Sequence, residues 1–192
     1  MKKLMMSLAL IIAAFSIQAQ TVTTTTPVTR KDMRRERREE KITLKALEGR
    51  DVNVQSKRQF GIDFGNVPAT WTHQEYFDVA SFVNDRGLRT DAYYDYNGQL
   101  VGTTTMARFS DLPEPAQKDI IKHYTNYLDA PVVFYDDNEA NDTDMILYGT
   151  QFDDADNYFI ELKDKKGNPV VLRVNMEGNV SFFADMRYAH YE

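Results

Sequence analysis

Four short connections constrain this chain more than any other feature. Asn84-Asp85-Arg86-Gly87, Tyr96-Asn97-Gly98-Gln99, Asp164-Lys165-Lys166-Gly167 and Met176-Glu177-Gly178-Asn179 each separate two strand-like runs. Loops this short join antiparallel neighbours, and glycine supplies the backbone freedom that tight hairpins need. The flanking runs predict strands over Tyr76–Val83, Leu88–Tyr96 and Leu100–Ala107, and again over Tyr158–Lys163, Pro169–Asn175 and Val180–Ala184. Leu88, Thr90, Ala92, Tyr94 and Tyr96 alternate with Arg89, Asp91, Tyr93 and Asp95, the period of a strand with two different faces.

These strands fall into two similar sets. Gly87 and Gly98 are 11 residues apart, as are Gly167 and Gly178. Pro68-Ala69-Thr70-Trp71 has a counterpart in Pro131-Val132-Val133-Phe134, and Tyr76-Phe77 in Tyr158-Phe159. A helix is predicted before each set. The second is clearer: Asp111 with Glu114 resembles a capping box, Pro113 sits in the first turn, and Ala116, Ile120, Tyr124 and Tyr127 form one apolar stripe ending before Pro131. The first lies near Gln55–Phe64 and contains Gly61. The expected fold is α+β, with two tandem, pseudo-symmetric helix-plus-antiparallel-sheet units at 42–109 and 110–192.

The symmetry exposes an insertion. Trp71 and Tyr76 are 5 residues apart, whereas Phe134 and Tyr158 are 24 apart. The excess of about 19 residues contains Met145-Ile146-Leu147-Tyr148, a candidate extra strand, and an acidic segment, 136–156, with eight acids and no base. The whole chain carries −6, and removing Lys2 and Lys3 leaves −8, so the insert accounts for the net charge of the remainder. That makes the insert the dominant feature of the field; a solvated loop is its first reading, with protein recognition or a divalent-cation site as the alternatives.

The ends suggest compartment. Lys2 and Lys3 followed by apolar Leu4–Ile17 and Ile17-Gln18-Ala19 predict a signal peptide over 1–19 and a periplasmic or secreted product, with no membrane insertion after cleavage. Thr21–Val28 is a polar tether. Arg30–Lys41 mixes seven bases with four acids, so it is expected as a solvated charged arm rather than a nucleic-acid site. The absence of Cys excludes disulfides, thiolate catalysis and iron–sulfur ligation.

No catalytic pattern stands out. His73, His123 and His190 have no ligand-spaced partners, and there is neither a Gly-x-Ser-x-Gly elbow nor a phosphate-binding loop. An EF-hand starting at Asp136 fails at position 5 (Ala140), position 6 (Asn141) and position 12 (Leu147). A looser calcium site could draw on Asp136, Asp142, Asp144, Asp153, Asp154 and Asp156. The candidate protein-binding residues are Tyr93, Asp136, Asp137, Glu139, Asp142 and Asp144. Trp71 is expected to pack inside, and Phe182 and Phe183 to take opposite faces of one strand.

VPATW, YFDVASF, AYYDYNGQL, FSDLPEPAQKDIIKHY and NYFIELKDKKGNPVVLRVNMEGNV together resemble the PepSY-like, beta-lactamase-inhibitor-like family of secreted bacterial proteins. The resemblance implies tandem helix-and-sheet units and a non-enzymatic protein, without a cofactor, that binds or inhibits a protein partner such as a hydrolase or protease. It supplies no catalytic residues. An envelope protein that binds a divalent cation or small ligand through the acidic insert is the alternative.

Overall fold

The computed structural model describes residues 46–47, 49, 51–153 and 155–186. The predicted signal peptide, tether and charged arm lie outside them, as do Asp154 and His190. Among the described residues no helix is long and apolar enough to cross a membrane.

Helix α1 spans Val54–Asp63. Strands β1 (Thr70–His73), β2 (Asp78–Val83), β3 (Arg89–Tyr94) and β4 (Leu100–Ala107) follow. A 3₁₀ turn at Phe109–Asp111 leads into α2, Glu114–His123. Then come β5 (Val132–Asp137), β6 (Met145–Leu147), β7 (Thr150–Phe152), β8 (Asn157–Lys163), β9 (Pro169–Asn175) and β10 (Val180–Asp185). Eight strands form one antiparallel sheet in the order β1-β2-β3-β4-β5-β8-β9-β10, and β6-β7 is a separate hairpin. The fold is α+β.

The Pro-x-x-aromatic segments are strands rather than connectors. β5 pairs with β4 from Gly102↔Asp137 to Ala107↔Val132, so the sheet runs unbroken across the chain. α2 is also shorter than its apolar stripe predicts. Tyr124 is extended at φ −131°, ψ 142°, and Tyr127 instead stacks on Phe109 with ring centroids 4.8 Å apart. Asp111 does not cap α2. Its Oδ2 accepts from the Arg108 backbone N–H at 2.8 Å and so closes the preceding 3₁₀ turn, while extended Pro113 stands at the helix N-cap.

Cross-strand register places both helices on one face. Below α1, Ala80, Phe82, Ala92 and Tyr94 join Phe60, with Trp71 edge-on to Phe60 at 5.5 Å. Below α2, Val132, Ile160, Leu172 and Val174 pack on Ala116 and Ile120. Each helix begins on a glycine of a hairpin. A Cβ at Gly98 would lie 2.7–2.9 Å from Gln55 and the Ser56 backbone nitrogen, and one at Gly178 would meet Pro113 and Pro115 at 3.1–3.2 Å. Both glycines have positive φ, 71° and 87°, a region that disfavours side chains.

The opposite face holds a third core. The β6–β7 hairpin turns at Tyr148 and Gly149, both at positive φ, and lays Met145 and Phe152 over Tyr135, Phe159 and Phe183. This core reaches from Ala184 on β10 to Val79 on β2. Phe182 and Phe183 diverge as expected: a register shift in β10 sends Phe183 into this core and leaves Phe182 exposed.

Candidate functional site

The acidic stretch is anchored by its amides. Asn138 and Asn141 both donate side-chain hydrogen bonds to the Leu100 carbonyl, at 2.7 and 3.1 Å. Asn141 also reaches Asp95 Oδ2 at 3.3 Å, joined there by the Thr143 hydroxyl at 3.4 Å. Asp95 Oδ1 accepts from the backbone N–H groups of Asn97 and Gln99, so one buried carboxylate ties the insert to the β3–β4 hairpin. The Asn residues, spaced three apart among the acids, were the sequence signal for these anchors. Glu139, between them, and Asp142, just after Asn141, are left exposed.

The predicted acids separate. Asp136 lies on the helix-bearing face opposite Thr103. Burial raises its pKa, the charges of Asp156 and Asp137 raise it further, and Arg86 partly offsets them. Asp137 turns to the other face, where its carboxylate accepts from the Tyr135 hydroxyl at 3.0 Å. Its backbone N–H donates to Asp156 Oδ1 at 2.9 Å. Asp144 accepts from Gln151 within the hairpin, and burial raises its pKa. Asp153 is exposed. Among the described residues, no three His, Cys, Asp or Glu side chains gather in a metal-holding arrangement.

Tyr93 is not the open surface residue its strand position suggested. It is half-buried, edge-on to Phe77 at 6.0 Å, with its hydroxyl 3.3 Å from Thr104 Oγ1. Burial pushes its pKa up to about 12, against the Thr104 hydrogen bond that lowers it. The hairpin core reaches farther across the back of the sheet than the alternation alone reveals.

What stays open on that back face belongs to β1–β4. Thr70, Thr72 and Arg89 are exposed there, with Ser81 bonded to Asp91 between them. Val83 at 58% and Met106 at 56% exposure flank this strip. The result is a polar shelf with two apolar side chains, bounded by the acidic hairpin.

A buried polar knot lies under α1. Asp78 is fully buried and accepts from the Asn53 N–H at 2.8 Å, the Ser56 hydroxyl at 2.8 Å and His73 Nδ1 at 2.7 Å. Ser56 bonds to the carboxylate rather than to His73, so the trio lacks the nucleophile-to-base link of covalent catalysis. Its three hydrogen bonds instead join α1, β1 and β2.

An eight-stranded antiparallel meander with two helices on one face defines the class of fold. The chain shares it with a BLIP-like protein from Bacteroides fragilis, at TM-score 0.51 and 15% identity, covering 74% of this chain and 90% of that one. A DUF2874 family protein from Bacteroides ovatus matches at TM-score 0.56 and 11% identity over 74% and 94% of the two chains. A Bacteroides eggerthii protein, provisionally described as periplasmic, matches at TM-score 0.55 and 12% identity over 73% and 94%. No family model and no curated protein matches the sequence.

Proposed function

We propose that this chain is a non-enzymatic protein-binding module of the periplasm or cell exterior, which engages its partner with the open β1–β4 half of the sheet. The observation that carries this reading is the division of the back face. The hairpin seals one part, while Val83 and Met106 stand exposed beside a hydrogen-bonded polar strip. Apolar side chains within a polar surround suit a reversible protein interface. The chain is built from two repeats, each helix resting on the last hairpin of its own unit through Gly98 or Gly178. Glu139 and Asp142 are exposed at the Leu100 end of the same sheet and favour a partner that also carries basic groups. The likeness to a BLIP-like structure supports inhibition of an envelope enzyme as the specific form of this binding.

Affinity capture from an envelope extract tests the surface. The Val83→Asp, Met106→Asp double variant should lose a partner that wild type retains. Phe182→Asp, on the opposite face, should keep it. Identical capture by all three forms would exclude the shelf. If the captured protein is an enzyme, its turnover should fall when the chain is added in excess.

A further inference from the structure

The two helices leave the middle of their own face uncovered. α1 packs over β1–β4, α2 packs over β5 and β8–β10, and between them a groove of about 640 Å³ opens onto β4 and β5. Its floor is apolar: the rings of Phe64, Phe82 and Phe134, with Val67 beside them. Thr103 and Thr105 add methyl-bearing, half-exposed side chains.

The groove is also electrostatically one-sided. Asp63 and Asp85 approach from α1 and the β2–β3 hairpin and Asp136 from β5, whereas the Asp137 carboxylate turns to the other face; Arg86 is the one basic lining residue. Asp136 is partly desolvated and faces further repulsion from Asp156 and Asp137, which Arg86 only partly offsets. Asp63, Asp85 and Asp136 are exposed, and a cation entering here gains from carboxylates that outnumber the one guanidinium. A guanidinium or ammonium can lie against the aromatic floor as well. An anionic or neutral segment would lack these gains.

We propose that this groove docks a cationic, amphipathic segment of a partner protein, with a basic side chain directed to Asp136 and an apolar side chain seated on Phe82 and Phe134. The site lies on the opposite side of the sheet from most of the β1–β4 shelf, and Val83 is the residue that borders both. Charge complementarity selects a basic peptide over an acidic one, and the apolar floor selects a peptide over a bare ion.

The test titrates the full chain with acetyl-Leu-Arg-Phe-Arg-amide and with its glutamine counterpart, acetyl-Leu-Gln-Phe-Gln-amide, while backbone amides are followed by NMR. The arginine peptide should shift the amides of Gly102–Thr105 and Phe134–Asp136 saturably, and the glutamine peptide should bind at least tenfold more weakly. Asp136→Asn and Asp85→Asn should each weaken the arginine peptide severalfold. The Met106→Asp single variant, whose site does not line the groove, should bind it unchanged, which separates this site from the shelf. Equal binding of both peptides overturns the proposal. So do shifts confined to the hairpin or the back face, or no shift at millimolar peptide. Calcium chloride that produces the same shifts and displaces the peptide would also overturn it, by making the site one for ions.

Discussion

The two halves of the sheet use the same meander but solve burial differently. In the first half, α1 contributes only Ser56 and Phe60 as buried residues, and a fully buried Asp78 fixes its first turn. In the second, α2 buries Ala116 and Ile120 on an aliphatic bed with no comparable polar knot. The back faces differ in the same sense. A hairpin seals the second half with Met145 and Phe152, whereas the first exposes a polar strip. Directional hydrogen bonds therefore orient the half that keeps a free surface, and apolar volume holds the half that does not. An open face contributes little apolar burial, so the helix-bearing side of that half provides its hold.

Mutations can break this contrast. The largest effect is expected for Phe152→Ala, which empties the centre of the back core where the rings of Tyr135, Phe159 and Phe183 meet. Denaturant unfolding should report a loss of about 4 kcal/mol, whereas Thr72→Ala on the open strip should change stability by less than about 0.5 kcal/mol. Equal losses would mean that the two back faces are energetically alike. Asp78→Ala comes next, at about 3 kcal/mol, because it leaves the Asn53 N–H, the Ser56 hydroxyl and His73 without their shared acceptor. The helix seats should then rank themselves. Gly98→Ala forces a Cβ against backbone and should cost roughly 2–3 kcal/mol. Gly178→Ala meets only proline side chains and should cost roughly 1 kcal/mol. The reverse ranking would show that α2, not α1, has the tighter seat.

The sequence exposed what is local and hid what is not. Strands β8 and β9 were legible to within a residue, because alternation and a glycine hairpin are both short-range signals. β1 and β5 were not, since a Pro-x-x-aromatic segment becomes a strand only when a neighbour offers its edge. The end of α2 was misplaced because tertiary packing of Tyr127 on Phe109 outweighs the helical stripe. In the insert, the acids dominated the composition, and the same segment conceals the apolar pair Met145 and Phe152. Its anchors Asn138 and Asn141 bond to a carbonyl about 40 residues away, at sequence separations of 38 and 41. Asp78 carried no local signal, because its partners on α1 and at its cap lie 22 and 25 residues upstream.

The smallest effect concerns Asp136, where the two halves meet at the β4–β5 pairing. Its folded pKa is raised above 3.8, chiefly by burial and then by Asp156 and Asp137. A carboxyl with a raised folded pKa binds more protons in the native state than in the unfolded chain within that interval. Stability from this group is therefore greatest at low pH and is lost as pH rises through the folded pKa. Asp136→Asn removes the charge and so should raise Tm slightly at pH 7. The gain should vanish below pH 3.8, where the carboxyl is protonated in both states. Thermal unfolding of both proteins across that range measures it. A gain that persists unchanged at low pH would assign the effect to packing of the amide rather than to charge. A loss at pH 7 would mean that Arg86 more than offsets the burial and the neighbouring acids. In that case the groove would already be electrostatically balanced, and its preference for a basic ligand would fail with it.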